Sequence, residues 1–272
     1  MLRLLLWIRR HQRAIPPLWR EIVLIGAFFG IYTLIQDNTP LHAAAALHRG
    51  ASLLRIERDL HIDVETPMDH WAAGIEPIAV VANYYYVVLH FLVPAGILLW
   101  MHQRRPERYR FERNVLMWIT VVSLVCFWLA PTAPPRLLPG GGFIDTVAKF
   151  HTIGGYETGA TKHAADQFAS MPSMHIALAL WSAVTMYRLA RHRGMRIGWL
   201  FYPIGTSLSV LLTGNHYLLD IVAGVAAWVC GVLLAITFRA AGRAVDRSLD
   251  ADREETPPEG VGEHVPATTI RM

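Results

Sequence analysis

Long apolar stretches separated by short charged segments dominate the pattern of hydrophobic and polar positions along the chain. The longer stretches reach the roughly 20 residues that an α-helix needs to cross a bilayer, and the shorter ones are expected to extend into their flanks. The pattern predicts an all-α integral membrane protein, a bundle of six transmembrane helices. The predicted spans cover about residues 22–36, 78–101, 115–130, 173–187, 197–213 and 217–238.

A further apolar pattern lies between the first two predicted spans, in AAAALHRGASLLRIERDLHI (residues 43–62). Large apolar side chains recur there at helical spacing. The pattern predicts an amphipathic helix on the extracytoplasmic membrane surface. Its apolar face would carry Leu47, Leu53, Leu54, Ile56 and Leu60.

The positive charges predict the orientation of the bundle. With a cytoplasmic N-terminus, 18 Lys and Arg residues up to Arg253 fall in cytoplasmic segments and 6 in extracytoplasmic ones. Since cytoplasmic loops carry the excess of positive charge, both termini are expected in the cytoplasm. The membrane is expected to be the plasma membrane. The predicted organisation is a basic cytoplasmic N-terminus (1–20), a membrane domain (21–240) and a disordered cytoplasmic tail (241–272).

Composition narrows the function classes. Hydrophobic residues make up 53% of the chain and charged residues 17%, so the positive balance reflects topology, and no nucleic-acid partner is expected. Both cysteines, Cys126 and Cys230, lie in apolar runs and are interpreted as small hydrophobes. No CxxC, HExxH, Walker or G-x-S-x-G pattern occurs, so no metal and no cofactor are predicted.

His216 and Asp220 are the first candidates for chemistry, because four-residue spacing places them on one helical face. A carboxylate there can fix the imidazole tautomer and leave the other ring nitrogen as a nucleophile. The alternative is a structural His–Asp pair at the membrane interface.

The motif SMPSMH (residues 170–175) opens the fourth predicted span. Ser170 is a candidate N-cap, and the N–H groups of Ser173, Met174 and His175 would then form an anion site at the helix start. His175 could protonate a leaving oxygen there. The alternative is a capping motif with an incidental histidine.

Arg136 ends the proline-rich loop PTAPPR after the third predicted span. Its guanidinium is suited to forked hydrogen bonds with phosphate oxygens. The alternative is an arginine that reaches lipid headgroups. The predicted orientation places this loop, SMPSMH and TGNHYLLD (213–220) at the same outer level, and together they offer a nucleophile, an orienting carboxylate, an acid and an anion ligand.

These motifs resemble those of the type 2 phosphatidic acid phosphatase superfamily over about residues 115–238. The second motif of that superfamily, Pro-Ser-Gly-His, corresponds to Pro172-Ser173-Met174-His175, and His216 and Asp220 fit its third motif, with Ser209 at the serine position. The resemblance implies that His216 is the nucleophile, Asp220 its orienting partner and His175 the general acid, with Ser173 holding phosphate.

The departures from the superfamily motifs are informative. Val210 and Leu129 occupy positions where the superfamily has arginine and lysine, and Met174 replaces the glycine. These features resemble the branch that contains fungal inositol phosphorylceramide synthase. Lys162 and His163 are candidates to replace the missing phosphate ligands, although surface charges are the simpler interpretation.

Two positions in the second predicted span remain. His90 is a candidate substrate ligand as an intramembrane polar group, or else it forms a structural hydrogen bond with a neighbouring helix. Tyr84 is a further candidate substrate contact, although an interfacial aromatic belt also explains it and its neighbours.

The resemblance implies a membrane enzyme with its site at the extracytoplasmic face. It would act on a phospholipid or polyprenyl phosphate through a phosphohistidine and transfer the phosphoryl group to a polar alcohol acceptor. A lipid phosphatase that uses water is the alternative within the family, and a non-catalytic lipid-binding or transport protein is the alternative outside it. The sequence does not define an oligomeric state.

Overall fold

The computed structural model describes residues 16–37, 43–152 and 168–255. Lys162 and His163, as well as the predicted N-terminal segment up to residue 15, lie outside the described residues. In chain order the helices are α1 (Leu18–Asp37), α2 (Ala43–Asp59), α3 (Glu65–Ala73), α4 (Glu76–Tyr84), a π-helix (Tyr85–Leu89), α5 (His90–Arg104), α6 (Pro106–Leu129), a 3-10 turn (Pro135–Leu137), α7 (Thr146–Lys149), α8 (Met174–Leu189), α9 (Arg193–Leu212) and α10 (Leu218–Glu255).

Within the described part of the chain, four helical segments are long and apolar enough to cross a membrane: Glu76–Arg104, Pro106–Leu129, Arg193–Leu212 and Leu218–Ala244. Their outer faces expose large apolar side chains such as Phe201, Val222 and Leu233, as expected of surfaces that face lipid. The two other predicted spans also form helices, α1 and α8. The all-helical membrane architecture is therefore confirmed, whereas the count of six spans stays a prediction.

Helix α8 lies at the centre of the bundle and packs against α5, α6, α9 and α10. Its side chains Ala177, Leu178 and Trp181 belong to the main apolar core. Gly224 allows α10 to approach the start of α8 closely, because a Cβ at Gly224 would lie 2.5 Å from the Ser173 carbonyl oxygen. This close approach brings the two histidine-bearing segments together.

A charged cluster marks the end of the bundle at which α6 begins. Glu21 of α1 is buried, and both of its carboxylate oxygens lie 2.6 Å from Nη1 of Arg113. The Tyr109 hydroxyl donates to the same carboxylate at 3.0 Å. The loop PTAPPR follows the other end of α6, so the predicted polar site and this cluster lie at opposite ends of the bundle.

The predicted amphipathic helix is present as α2, and the side chains of its predicted apolar face differ in burial; its position on the membrane surface stays a prediction. Leu54 is buried, whereas Ile56 is 46% and Leu60 59% exposed. The buried face instead carries Ala46, Gly50, Leu54 and Glu57, because small residues let α2 pack closely against PTAPPR. Ala133 N–H donates to the Ala46 carbonyl and Arg49 donates to the Pro131 carbonyl across this contact.

The segment predicted as the tail begins as a continuation of helix α10. Helix α10 continues to Glu255, and residues 256–272 lie outside the described residues. Alanine and arginine are frequent just after residue 239 and favour the helix intrinsically, so a polar composition there is compatible with helical structure.

Candidate active site

The three polar segments predicted to converge do meet in the structure. Thr132 N–H donates to the Phe168 carbonyl, and Ser170 N–H donates to the Thr132 carbonyl. These two hydrogen bonds join PTAPPR to the start of SMPSMH and to the residue two positions before it. Arg136 N–H donates to the Gly214 carbonyl, and Ser173 N–H donates to the Asp220 carbonyl. These backbone hydrogen bonds fix the relative positions of the candidate side chains.

Asp220 orients His216 at the start of α10. One carboxylate oxygen, Oδ2, lies 3.2 Å from Nδ1 of His216 and accepts a hydrogen bond from Tyr217 N–H at 3.1 Å and another from the Ser170 hydroxyl. The contact with Tyr217 N–H is the half of a capping box in which a residue at N3 reaches back to the N-cap. His216 precedes the first turn of α10, so a helix cap, rather than a shared helix face, accounts for the four-residue spacing.

This arrangement defines the imidazole tautomer of His216. Because the carboxylate of Asp220 faces Nδ1, the proton resides on Nδ1 and the lone pair is on Nε2. Nε2 of His216 is buried and has no hydrogen-bond partner among the described residues. The ring is therefore oriented as a nucleophile requires.

His175 lies between two other rings. Tyr86 stacks on one side with ring centroids 4.0 Å apart, and His90 lies 3.9 Å from the His175 ring. The His216 ring lies 5.5 Å from that of His175. The three imidazoles thus form one cluster. His90 makes no structural hydrogen bond through Nδ1 to any residue that the structure describes.

Tyr86 and His90 both reach His175, since residues four apart share one helical face, and a π-helix lies within this segment. A π-turn adds one residue to the helical repeat and changes which side chains face inward, and such turns are frequent at functional sites. Two tyrosines hold this segment: Tyr202 donates to the Leu89 carbonyl at 3.1 Å, and Tyr85 donates to the Tyr202 carbonyl at 3.2 Å. Tyr84, the predicted substrate contact, is 39% exposed, and Tyr86 is the residue that stacks on His175.

The cap of α8 is Ser173 and not Ser170 as predicted. The Ser173 hydroxyl accepts a hydrogen bond from Ile176 N–H at 3.5 Å, while Ser170 donates to Asp220. Ser173 N–H is also engaged, with the Asp220 carbonyl, so it does not contribute to an anion site as predicted. The first turn of α8 still points its N-terminal end toward the histidine cluster, where the helix dipole favours negative charge.

Arg136 is buried and supports the loop before His216. Its Nε donates to Oδ1 of Asn215 at 2.8 Å, and Nη1 forms an ion pair with Asp145 at 3.0 Å. The guanidinium therefore positions Asn215, the residue that precedes His216. Its predicted role as a phosphate ligand requires that it also reach the substrate.

An apolar cavity of about 210 Å³ extends from the histidine cluster into the bundle. His90, Phe91, Met174 and Leu178 line it, and Ile25, Pro94, Ala95, Leu98, Arg113, Leu116, Met117 and Thr120 complete its wall. Met174 thus turns its side chain into this cavity. The histidine cluster borders a space that fits hydrocarbon better than water.

The residues at motif positions 209, 210 and 129 make structural contacts or lie on the outer surface of the bundle. Ser209 donates to the Ala82 carbonyl at 2.9 Å, and the fully buried Val210 offers its carbonyl to the N–H groups of Asn215 and His216. Leu129 is 64% exposed on the lipid-facing surface. No group of three or more His, Cys, Asp or Glu side chains suited to a metal ion occurs within residues 16–37, 43–152 and 168–255.

Comparison with known proteins connects this geometry with a family. A family model described as the PAP2 superfamily matches residues 51–234, which include the histidine cluster, Asp220 and Arg136. No curated protein and no solved structure matches the chain significantly.

Proposed function

Because the chain belongs to the PAP2 superfamily, whose members are phosphatases and phosphotransferases acting on phosphate esters, we propose that it moves a phosphoryl group from a lipid phosphate ester to an acceptor through a phosphohistidine. The observation that carries this proposal is the contact of Asp220 with Nδ1 of His216, since it leaves Nε2 as the attacking atom. The apolar cavity beside His90 supports a lipid as the donor.

In the first half-reaction, Nε2 of His216 forms a bond to phosphorus while the bond between phosphorus and the lipid oxygen breaks. His175 supplies the proton to that departing oxygen. Asp220 stabilises the positive charge that develops on the His216 ring.

In the second half-reaction, an acceptor O–H attacks the phosphohistidine and returns its proton to the neutral His175. A new bond between phosphorus and the acceptor oxygen forms, and the bond to Nε2 of His216 breaks. We propose an alcohol such as inositol or another polar headgroup as the acceptor, because of the resemblance to the synthase branch. Water in the same place would give a lipid phosphatase. In either case the site would face the extracytoplasmic side of the plasma membrane, with both termini in the cytoplasm.

The charge of the phosphate would be balanced by the α8 N-terminus, protonated His175 and Arg136. His90 would contact the substrate beside His175. Lys162 and His163 remain candidates for the same task. These groups supply positive charge by themselves, so the proposal requires no metal ion or cofactor.

The test is reconstitution of the purified chain in vesicles with labelled phospholipids or a polyprenyl phosphate, with and without polar alcohols. A new headgroup lipid indicates transfer, and free phosphate indicates hydrolysis. His216→Ala should abolish both products, whereas His102→Ala, at the other end of α5, serves as the matched control. Unchanged turnover in His216→Ala would contradict the mechanism. Lipid binding without turnover in the wild-type protein would instead favour a binding or transport protein.

A further inference from the structure

Two glutamates outside the histidine cluster are buried beside the catalytic segment. Glu57 of α2 and Glu65 of α3 are each completely shielded from solvent. Oε1 of Glu57 accepts a hydrogen bond from Leu219 N–H at 2.6 Å, across 162 positions of the chain. Leu219 lies in the first turn of α10, between His216 and Asp220 in the sequence. A carboxylate from another helix therefore caps the helix that carries the orienting residue.

The two carboxyl groups hold each other in place. Oε2 of Glu57 and both oxygens of Glu65 are buried and have no donor among the described residues, and the two carboxyl groups act on each other's ionisation. Two ionised carboxylates in this position would repel each other, whereas one shared proton turns the contact into a strong hydrogen bond. Burial and the neighbouring Glu57 together raise the pKa of Glu65 to about 9, so Glu65 carries the proton at neutral pH.

The surrounding charges act on both carboxyl groups. Asp63 disfavours the ionised form of Glu57 and of Glu65, and Asp220 disfavours that of Glu57. Asp63 is itself paired with Arg58 at 3.0 Å. Burial raises the pKa of Glu57 as well, but its hydrogen bond from Leu219 N–H favours the ionised form. Glu57 is thus the charged acceptor and Glu65 the neutral donor.

Close packing makes the contact rigid. A Cβ at Gly50 of α2 would lie 2.6 Å from the Ala133 carbonyl oxygen and 2.8 Å from the Tyr217 hydroxyl. The Tyr217 hydroxyl in turn donates to the Ala133 carbonyl at 2.9 Å. Helix α2 is therefore pressed against the residue that follows His216, and Glu57 cannot move without displacing the start of α10.

We propose that Glu57 and Glu65 are a positioning pair for the reaction. Glu57 holds the first turn of α10, and with it the geometry of His216 and Asp220, while Glu65 holds Glu57 through a shared proton. This inference rests on the proposed function, because the geometry that it maintains is that of the nucleophile.

The test compares Glu57→Gln, Glu65→Gln and Glu65→Ala with Asp59→Asn, an exposed carboxylate on the same helix as Glu57. Glutamine at 65 still donates a hydrogen bond, so its kcat at pH 7 should stay within about 3-fold of wild type, whereas Glu65→Ala should lose about 10-fold. Glu57→Gln removes the charge that caps α10 and should lower kcat by about 10-fold with KM within about 2-fold. Asp59→Asn should match wild type.

A second measurement needs no substrate. Since the folded pKa of Glu65 is raised from 4.5 to about 9, its contribution to stability is present at acid pH and is lost as pH rises through that interval. The melting temperature of the wild-type protein should therefore fall over this range, and Glu65→Gln should flatten the fall.

Equal damage from Glu65→Gln and Glu65→Ala, or an unchanged kcat in Glu57→Gln, would overturn the proposal. So would identical dependence of the melting temperature on pH in wild type and Glu65→Gln. If wild type and Asp59→Asn both fail to turn over any lipid phosphate, the proposed function fails, and the melting experiment still decides whether the pair shares a proton.

Discussion

Replacing Asp220 by asparagine tests the orienting role of this carboxylate most directly. The side chain is fully buried, and its Oδ2 receives Ser170, Tyr217 N–H and His216 together. In Asp220→Asn the amide oxygen can take the place of Oδ2 and keep these hydrogen bonds. The amide nitrogen then takes the place of Oδ1, which has no partner among the described residues. Shape is preserved, and the negative charge is lost.

The expected loss follows from the distance between the two groups. At an effective dielectric constant of about 20, a unit charge on Nδ1 and one on Oδ2, 3.2 Å apart, attract by about 5 kcal/mol. Only part of that charge develops on the imidazole in the transition state. Taking about half of it gives a fall in kcat of about 100-fold, since each 1.36 kcal/mol corresponds to about tenfold. The unpaired amide should also lower stability, by about 1–3 kcal/mol.

The assay is the initial rate of lipid phosphate turnover in vesicles, with melting curves to confirm that the variant is folded. Ser170→Ala is the matched control, because it removes one hydrogen bond to Asp220 and retains the charge. Its kcat should fall by less than about 10-fold. A folded Asp220→Asn protein that keeps kcat within about 3-fold of wild type would refute the orienting role and favour a structural His–Asp pair.

The remaining predictions concern the acid, the charge balance and the lipid. His175→Ala should lower kcat for a lipid substrate by about 100-fold or more, but much less for p-nitrophenyl phosphate, whose leaving group needs no proton; equal losses would argue against His175 as the acid. Activity should persist in excess EDTA and be inhibited by vanadate, and a loss in EDTA that Mg²⁺ restores would contradict the proposed charge balance. Met174→Gly should change the preferred chain length of the lipid and leave the ratio of transfer to hydrolysis unchanged; a changed ratio would show that Met174 acts on the acceptor.

Local patterns predicted the parts of the site that lie within one stretch of chain. The spacing of His216 and Asp220 indicated their contact correctly, although a helix cap accounts for it. The position of apolar runs likewise predicted helices where the structure has them. Both kinds of pattern are local, because hydrogen bonds between neighbouring turns and the helical repeat produce them.

Local sequence patterns do not predict contacts between residues that lie far apart in the chain. No sequence pattern singles out Glu57, and only its hydrogen bond from Leu219 N–H and its burial in the folded chain show its position. The stacking of Tyr86 on His175 is likewise not predicted, since a π-turn shifts the register of inward-facing residues and has no clear signature in the sequence, and the role of Tyr84 stays a prediction. Its local sequence predicts that Ser170 caps a helix. Its partner in the structure, Asp220, lies 50 positions away, and local patterns do not indicate such a contact.

The backbone and the side chain of Met174 face different parts of the proposed site. As the first residue of α8, it contributes its N–H to a helix N-terminus that faces the histidine cluster. Its side chain instead lies in the apolar cavity with Phe91 and Leu178. A glycine would leave the anion-binding backbone in place and enlarge the apolar space, so the exchange acts on the hydrocarbon part of the substrate. In the proposed mechanism, the acceptor would therefore be selected by groups around His216 and His175, where the phosphohistidine would be formed and resolved.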